Sequence, residues 1–121
     1  MGAKASKLFE REGKIVLSLH GHYTGDDARE HTAAAMALVR DLGHCEFVMD
    51  MRDLGGYDTA ARSAWQESLS EFKSRVRAVT LVGGSPLIRM TASAVCLYAG
   101  IKMRFVDDLE AAFRSISIAP R

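Results

Sequence analysis

Two strand-length apolar runs, Glu46-Phe47-Val48-Met49-Asp50-Met51 and Val76 to Val82, are each followed by a turn-rich segment and then by a capped stretch of helical periodicity. Near-continuous apolar runs of this length are how strands covered on both faces read. A strand that leads through a short turn into an amphipathic helix is half of a βαβ unit. Two such halves in succession require right-handed crossovers and a mostly parallel sheet, and they leave no place for a purely antiparallel one.

The remaining segments continue the alternation. Lys7 to Glu10 is a short strand, Glu12-Gly13 a turn, and Lys14 to His20 a strand with Ile15, Leu17 and Leu19 on one face, so the chain opens with an antiparallel hairpin. Thr24, with Asp27 three residues on, caps a helix that ends near Leu42-Gly43 and turns Ala28, Thr32, Ala35, Val39 and Leu42 inward. Asp53 to Asp58 reads as an exposed loop, and Asp58 or Thr59 caps a second helix carrying Ala61, Trp65, Ser68, Leu69 and Phe72 on its core side. Trp65 is expected in the core. Ser85 as cap and Pro86 at the first helical position start a third helix that Gly100 ends. Lys102 to Val106 is the last strand, and Asp107 caps a last helix that faces Leu109, Ala112, Phe113 and Ile116 inward. The order is β-β-α-β-α-β-α-β-α: an α/β fold with four or five strands, the first antiparallel, and about four helices. Residues 7–116 form one domain between tails at 1–6 and 117–121.

Length and charge narrow the function. A chain of 121 residues builds one core. Sixteen basic and fifteen acidic side chains are interleaved and leave a net charge of +1, which argues against nucleic acid or an anionic membrane as a general electrostatic partner. Cys45 and Cys96 sit in apolar stretches without metal-site spacing, as free thiols in a reducing cytoplasm do. No apolar run reaches the roughly 18 residues of a membrane span, and a cytoplasmic location is expected. Met1 to Ser6 formally matches the N-myristoylation pattern, but the pattern is short and a ragged tail is the better explanation.

In an open parallel sheet, ligands and partners gather at the carboxyl ends of the strands. One of those ends carries a resemblance. Asp50-Met51-Arg52-Asp53-Leu54-Gly55-Gly56-Tyr57-Asp58-Thr59 resembles the strand-loop-helix signature of STAS domains, the sulphate-transporter and anti-sigma-factor-antagonist (SpoIIAA-like) family. Asp50, Leu54, Asp58 and Thr59 fall in turn on the family's strand-end Asp, its apolar residue and its Asp-Ser pair. Val79 to Gly83 and Phe105-Val106-Asp107 with Leu109 to Ala112 are similar as well. The resemblance implies a single STAS-like domain and a protein partner, an anti-sigma factor that is also a kinase. It implies phosphorylation at Thr59 as the switch that ends binding, and no enzymatic activity of the chain itself. Asp53, Gly55, Gly56, Tyr57, Asp58, Thr59 and Arg62 are the expected partner surface. The family usually continues Ser-Ser-Gly, whereas this chain has Thr59-Ala60-Ala61. The alternative is a STAS-like or Sec14-like domain that binds a small ligand or lipid without phosphorylation, marked by a pocket of roughly several hundred Å³.

The position has a physical logic of its own. A hydroxyl in the first turn of a helix lies beside unpaired N–H groups and the positive end of the dipole, so a phosphate there is tolerated by the fold while it changes the surface. The plain reading of Thr59 is a helix cap. His20, His22, His31 and His44 lack a carboxylate or thiolate at metal-site spacing, and no cofactor motif is present. Gly83-Gly84-Ser85 lacks the Lys of a phosphate-binding loop and reads as a turn and cap. Ser63, Cys45 and Cys96 have no His and Asp arrangement in sequence. The third helix has Leu87, Thr91, Ala94 and Tyr98 as a sufficient core stripe and a surplus one in Ile88, Ala92, Val95 and Ala99. The surplus fits either a broadly buried helix or a surface that meets another chain, a second copy included.

Overall fold

A computed structural model describes residues 6–118, with side chains through residue 114. The expected inward face of Ile116, most of the Met1 to Ser6 pattern and the final residues lie outside the described part. Five strands, β1 (Lys7–Arg11), β2 (Lys14–Tyr23), β3 (Cys45–Tyr57), β4 (Val76–Val82) and β5 (Met103–Val106), form one sheet in sequential order. β1 runs antiparallel to β2, and all other neighbours are parallel. Helices α1 (Gly25–Leu42), α2 (Thr59–Glu71) and α3 (Pro86–Ala99) connect the parallel strands, and α4 (Leu109–Ile118) follows β5.

Sequential order fixes the layers. Right-handed crossovers between strands that always advance in the same direction put every connecting helix on one face. Ile15, Leu17 and Leu19 of β2, Phe47, Met49 and Met51 of β3 and Val79 and Leu81 of β4 accordingly form one core with α1, α2 and α3. The alternate residues Val16, Val48 and Val82 face the other way and are covered by Ala112 and Phe113 of α4. Trp65 is buried at 6% exposure, edge-on to Phe47 with centroids 5.8 Å apart. Its Nε1 donates to the Tyr23 hydroxyl at 3.1 Å, so the one polar atom of the indole is satisfied inside the core.

The cap chemistry decides most boundaries. Thr24 accepts from the Asp27 amide, Ser85 accepts from the Ile88 amide with Pro86 next to it, and Gly100 ends α3 in the left-handed conformation. Four expectations are corrected. The cap of α4 is Asp108, which accepts from the Ala111 amide at 2.8 Å, and not Asp107. Leu42 is 38% exposed, and Met36 takes its place in the core of α1. The stripes of α3 are reversed: Ile88, Val95 and Ala99 are buried with Cys96, while Leu87 and Tyr98 stand out with Met90 and Leu97. Either stripe satisfies helical periodicity, and the sheet and α2 select the one that meets them. Finally, the segment from Asp53 to Tyr57 is not a loop. β2 continues to Tyr23 and keeps β3 paired through two register shifts, at Ser18/His20 and Gly21/His22. Gly21, at φ 64, adopts a conformation open to glycine at the second shift.

The start of α1 and the start of α2 touch without a side chain between them. A Cβ on Gly25 would lie 2.7 Å from the Ala60 Cβ. Gly25→Ala is therefore expected to destabilise the fold by about 1–3 kcal/mol in chemical denaturation. Combining it with Ala60→Gly should recover part of that loss, as a non-additive pair does when one contact is shared.

Candidate functional site

The site is the junction where β2 and β3 deliver the chain into α1 and α2. Asp58 occupies the N-cap of α2 in extended conformation, and its carbonyl accepts from the amides of Ala61 and Arg62 at 3.0 and 3.3 Å. Its carboxylate does not cap the helix it precedes. Instead Oδ2 accepts from the Gly25 amide at 3.1 Å and Oδ1 meets His22 Nε2 at 2.7 Å. The Asp58 amide donates to the Tyr23 carbonyl at 2.9 Å, so the residue is tied to the end of β2 and the start of α1 from both its backbone and its side chain. The His22 ring first, and the Gly25 amide second, hold the Asp58 carboxyl below its ordinary range.

Thr59 is the first residue of α2 and is exposed, as is Ala60 beside it. With the Asp58 carboxylate drawn away, no side chain caps the first turn. Gly56 is packed against the His22 ring, and a Cβ there would meet Nδ1 at 3.1 Å. Tyr57 leans onto the core, and its hydroxyl shares a 2.7 Å hydrogen bond with Thr91 Oγ1 of α3. Arg62 is exposed one turn into α2. Gly55 lies beside Gly21 of β2. Asp53 is not part of this group: it is 3.4 Å from His20 Nδ1, on the sheet face that α4 covers further along. Asp50 is on that face too, 8% exposed, with both carboxylate oxygens held by the Arg52 fork at 2.8 and 2.7 Å. Burial pushes Asp50 upward, but the guanidinium outweighs it and the carboxyl stays below its ordinary range.

His22 and Gly25, the partners of Asp58, were not legible as such, since they lie 36 and 33 residues away along the chain. His20 and His22 do find carboxylates, but one each, in Asp53 and Asp58, while His31 meets the Tyr23 hydroxyl. Among the described residues no group of three or more His, Cys, Asp or Glu could hold a metal. Between the sheet, α2 and α3 lies a cavity of about 80 Å³, lined by apolar side chains such as Leu17, Met49 and Val95, with Tyr23, Tyr57, Arg62 and Thr91 also on its wall. No helix among the described residues is long and apolar enough to cross a membrane.

A family model described as SpoIIAA-like matches residues 15–115. The chain belongs to the SpoIIAA-like family. No curated protein sequence matches it. Among solved structures, an uncharacterized protein from Shewanella loihica PV-4, of the DUF3478 family with a SpoIIAA-like fold, is similar at TM-score 0.69 and 13% identity over 91% of this chain and 90% of that one. The anti-sigma factor antagonist SpoIIAA in its unphosphorylated form is similar at TM-score 0.71 and 14% identity, covering 95% and 99%. The Bacillus cell fate determinant SpoIIAA in the phosphorylated form is similar at TM-score 0.67 and 16% identity, covering 91% and 98%. At such low identities it is the TM-scores that show a shared fold, and they show the fold alone. The SpoIIAA-like domain is thus a five-stranded sheet with an antiparallel first strand and four helices.

Because the Asp58 carboxyl is depressed in the fold, its contribution to stability is present above its unfolded value of about 4 and is lost as pH falls through the lower folded value. Asp58→Asn is expected to melt below the parent near neutral pH, with the gap closing as pH drops below 4. Parallel melting curves from pH 7 to pH 2.5 check this. A gap that does not change with pH would show that the charge of Asp58 contributes nothing.

Proposed function

We propose that this SpoIIAA-like domain is a regulatory protein-binding module that acts in the cytoplasm. Its contact surface is the start of α2 with Gly56, Tyr57, Asp58, Thr59 and Arg62, and phosphorylation of Thr59 is the switch. The observation that carries the reading is the exposed Thr59 hydroxyl at the first position of a helix whose own N-cap carboxylate is engaged elsewhere. Amides of the first turn and the positive helix end favour a phosphate at that point, so the modification rewrites the surface without breaking the core. Two of the structural neighbours are forms of SpoIIAA, one unphosphorylated and one phosphorylated, the first described as an anti-sigma factor antagonist. The partner inferred for this chain is accordingly an anti-sigma factor with kinase activity. Gly55 borders the contact surface, whereas Asp53, on the other face, is left out of it. Such a role needs no catalysis by the chain itself.

A small-ligand or lipid-binding role at this end of the sheet is less well supported: the apolar cavity there, of about 80 Å³, is several times smaller than ligand sites of roughly 300–1,000 Å³, and the roomier groove of about 310 Å³ lies elsewhere, between α1 and α2 against Met36, Arg40, Glu71 and Phe72. Self-association through α3 would use the exposed side chains Leu87, Met90, Leu97 and Tyr98, not the stripe expected from the sequence.

Thr59→Asp should change stability by less than about 1 kcal/mol, since a carboxylate near a helix N-terminus is neutral or favourable. It should weaken partner binding, because a hydrated charge must be desolvated in the middle of the contact. Thr59→Ala should keep binding and abolish phosphorylation. Partners and phosphosites come from pull-down with mass spectrometry, followed by affinity and melting temperature for each variant. Equal affinities for parent, Asp and Ala forms would rule out Thr59 as the switch.

A further inference from the structure

The opposite face of the same strand pair carries a polar group that partner binding at α2 does not use. Ser18 and His20 alternate along β2 and so share this face, with Ser18 Oγ 3.1 Å from His20 Nε2. On the far side of the ring, Nδ1 is 3.4 Å from Asp53 Oδ2. The register explains the carboxylate. Ser18 is opposite Asp50, but His20 is opposite Asp53, so β3 spends one residue more than β2 between the two pairs. Without that shift the residue across from His20 would be Arg52. A bulge re-aims side chains in this manner, here setting an acid beside the imidazole while Arg52 folds back onto Asp50.

A carboxylate at Nδ1 favours the Nδ1–H tautomer, which leaves Nε2 as the acceptor and the Ser18 hydroxyl as the donor. We propose that Ser18, His20 and Asp53 form a nucleophile, base and orienter that hydrolyse small carboxylic esters. Ser18 Oγ attacks the ester carbonyl carbon and its proton passes to His20 Nε2. The ester C–O bond breaks and the alcohol leaves with that proton. Water then attacks the acyl-Ser18 carbon and gives a proton to His20; the bond from Ser18 Oγ to the acyl carbon breaks, His20 returns the proton to Oγ, and the acid leaves. Asp53 is a positioning residue that holds the ring. The charge of Asp50 next to Ser18 is met by Arg52, and Lys7, opposite Ser18 in the β1–β2 ladder, adds a second cation to the face. The side chains of His20 and Asp53 are 34% and 69% exposed, so the arrangement is open to solvent and suits short acyl groups.

The test is p-nitrophenyl acetate hydrolysis by the full chain, with peptide mass spectrometry of the acylated protein and labelling by an alkyl fluorophosphonate. The parent should exceed Ser18→Ala and His20→Gln by about 10- to 100-fold. Asp53→Asn should lose most of the rate and Asp53→Glu should recover part of it, a pattern that a merely structural role would not give. His44→Gln should leave the rate unchanged. Acetyl and phosphonyl groups should be found on Ser18. Labelling of the parent needs no variant, so it decides the matter even if Ser18→Ala does not fold. Adducts confined to lysines or histidines, or equal rates for parent and Ser18→Ala, would overturn the proposal. Neither outcome bears on Thr59, whose variants are read by partner affinity.

Discussion

Asp58 stands at the start of α2, yet its carboxylate serves α1, accepting from the Gly25 amide and meeting the His22 ring. A buried or half-buried helix end must find partners for its free amides, and here Asp58 supplies one of them, for Gly25, 33 residues away in sequence, while Thr24 takes the Asp27 amide. Three elements depend on this contact. The end of β2 is held through His22 and the Tyr23 carbonyl, α1 through its first amide, and α2 through the backbone of Asp58 itself. The close approach of Gly25 to Ala60 follows, because a carboxylate that spans the gap requires the two helix starts to sit almost in contact.

The second constraint is the imperfect pairing of β2 with β3. Two register shifts keep the strands together as far as Tyr23 and Tyr57 instead of letting them part at His20 and Met51. Each shift changes which residues oppose one another. The first sets Asp53 against His20, and the second sets His22 against Gly56, where the absence of a side chain leaves room for the ring that reaches Asp58. A regular ladder would have produced neither pair. The irregular stretch therefore organises the carboxyl end of the sheet, which is where an open α/β sheet has its polar surface.

Much of the fold was legible because short-range rules dominate it. The apolar runs at residues 46–51 and 76–82, the caps at Thr24 and Ser85 and the stop at Gly100 each specify an element locally, and the order of elements then leaves one sensible topology. Local rules failed where a choice was made by packing. Periodicity found two stripes on α3 and took the outward one as the core stripe, since it holds nothing that ranks them, and Asp107 and Asp108 were equally good caps by type. Gly55 and Gly56 looked like a loop because glycine is common in loops. In a parallel pair with bulges the same residues are strand, held by a neighbour that sequence proximity does not reveal. The site was half legible for the same reason. Thr59 could be singled out by its resemblance to the family signature, with its place at a helix start in support, but the partners of Asp58 could not be, and the relation of Ser18 to Asp53 depends on a one-residue shift. The spacing Ser18-Leu19-His20 was the available signal, since alternate residues of a strand share a face.

These two constraints together explain why Thr59 is free to carry a charge. In a helix with an engaged N-cap carboxylate, a phosphate at the next residue would compete with that carboxylate for the same first-turn amides and repel it at short range. Here the competition is removed beforehand. Asp58 already has its hydrogen-bond partners in Gly25 and His22. The amides at the start of α2 are left without a side-chain acceptor. The arrangement gives up the roughly 1 kcal/mol that a cap is worth to α2 and offsets it by fixing α1 and β2. What it gains is a helix start whose strongest acceptor would be one added from outside.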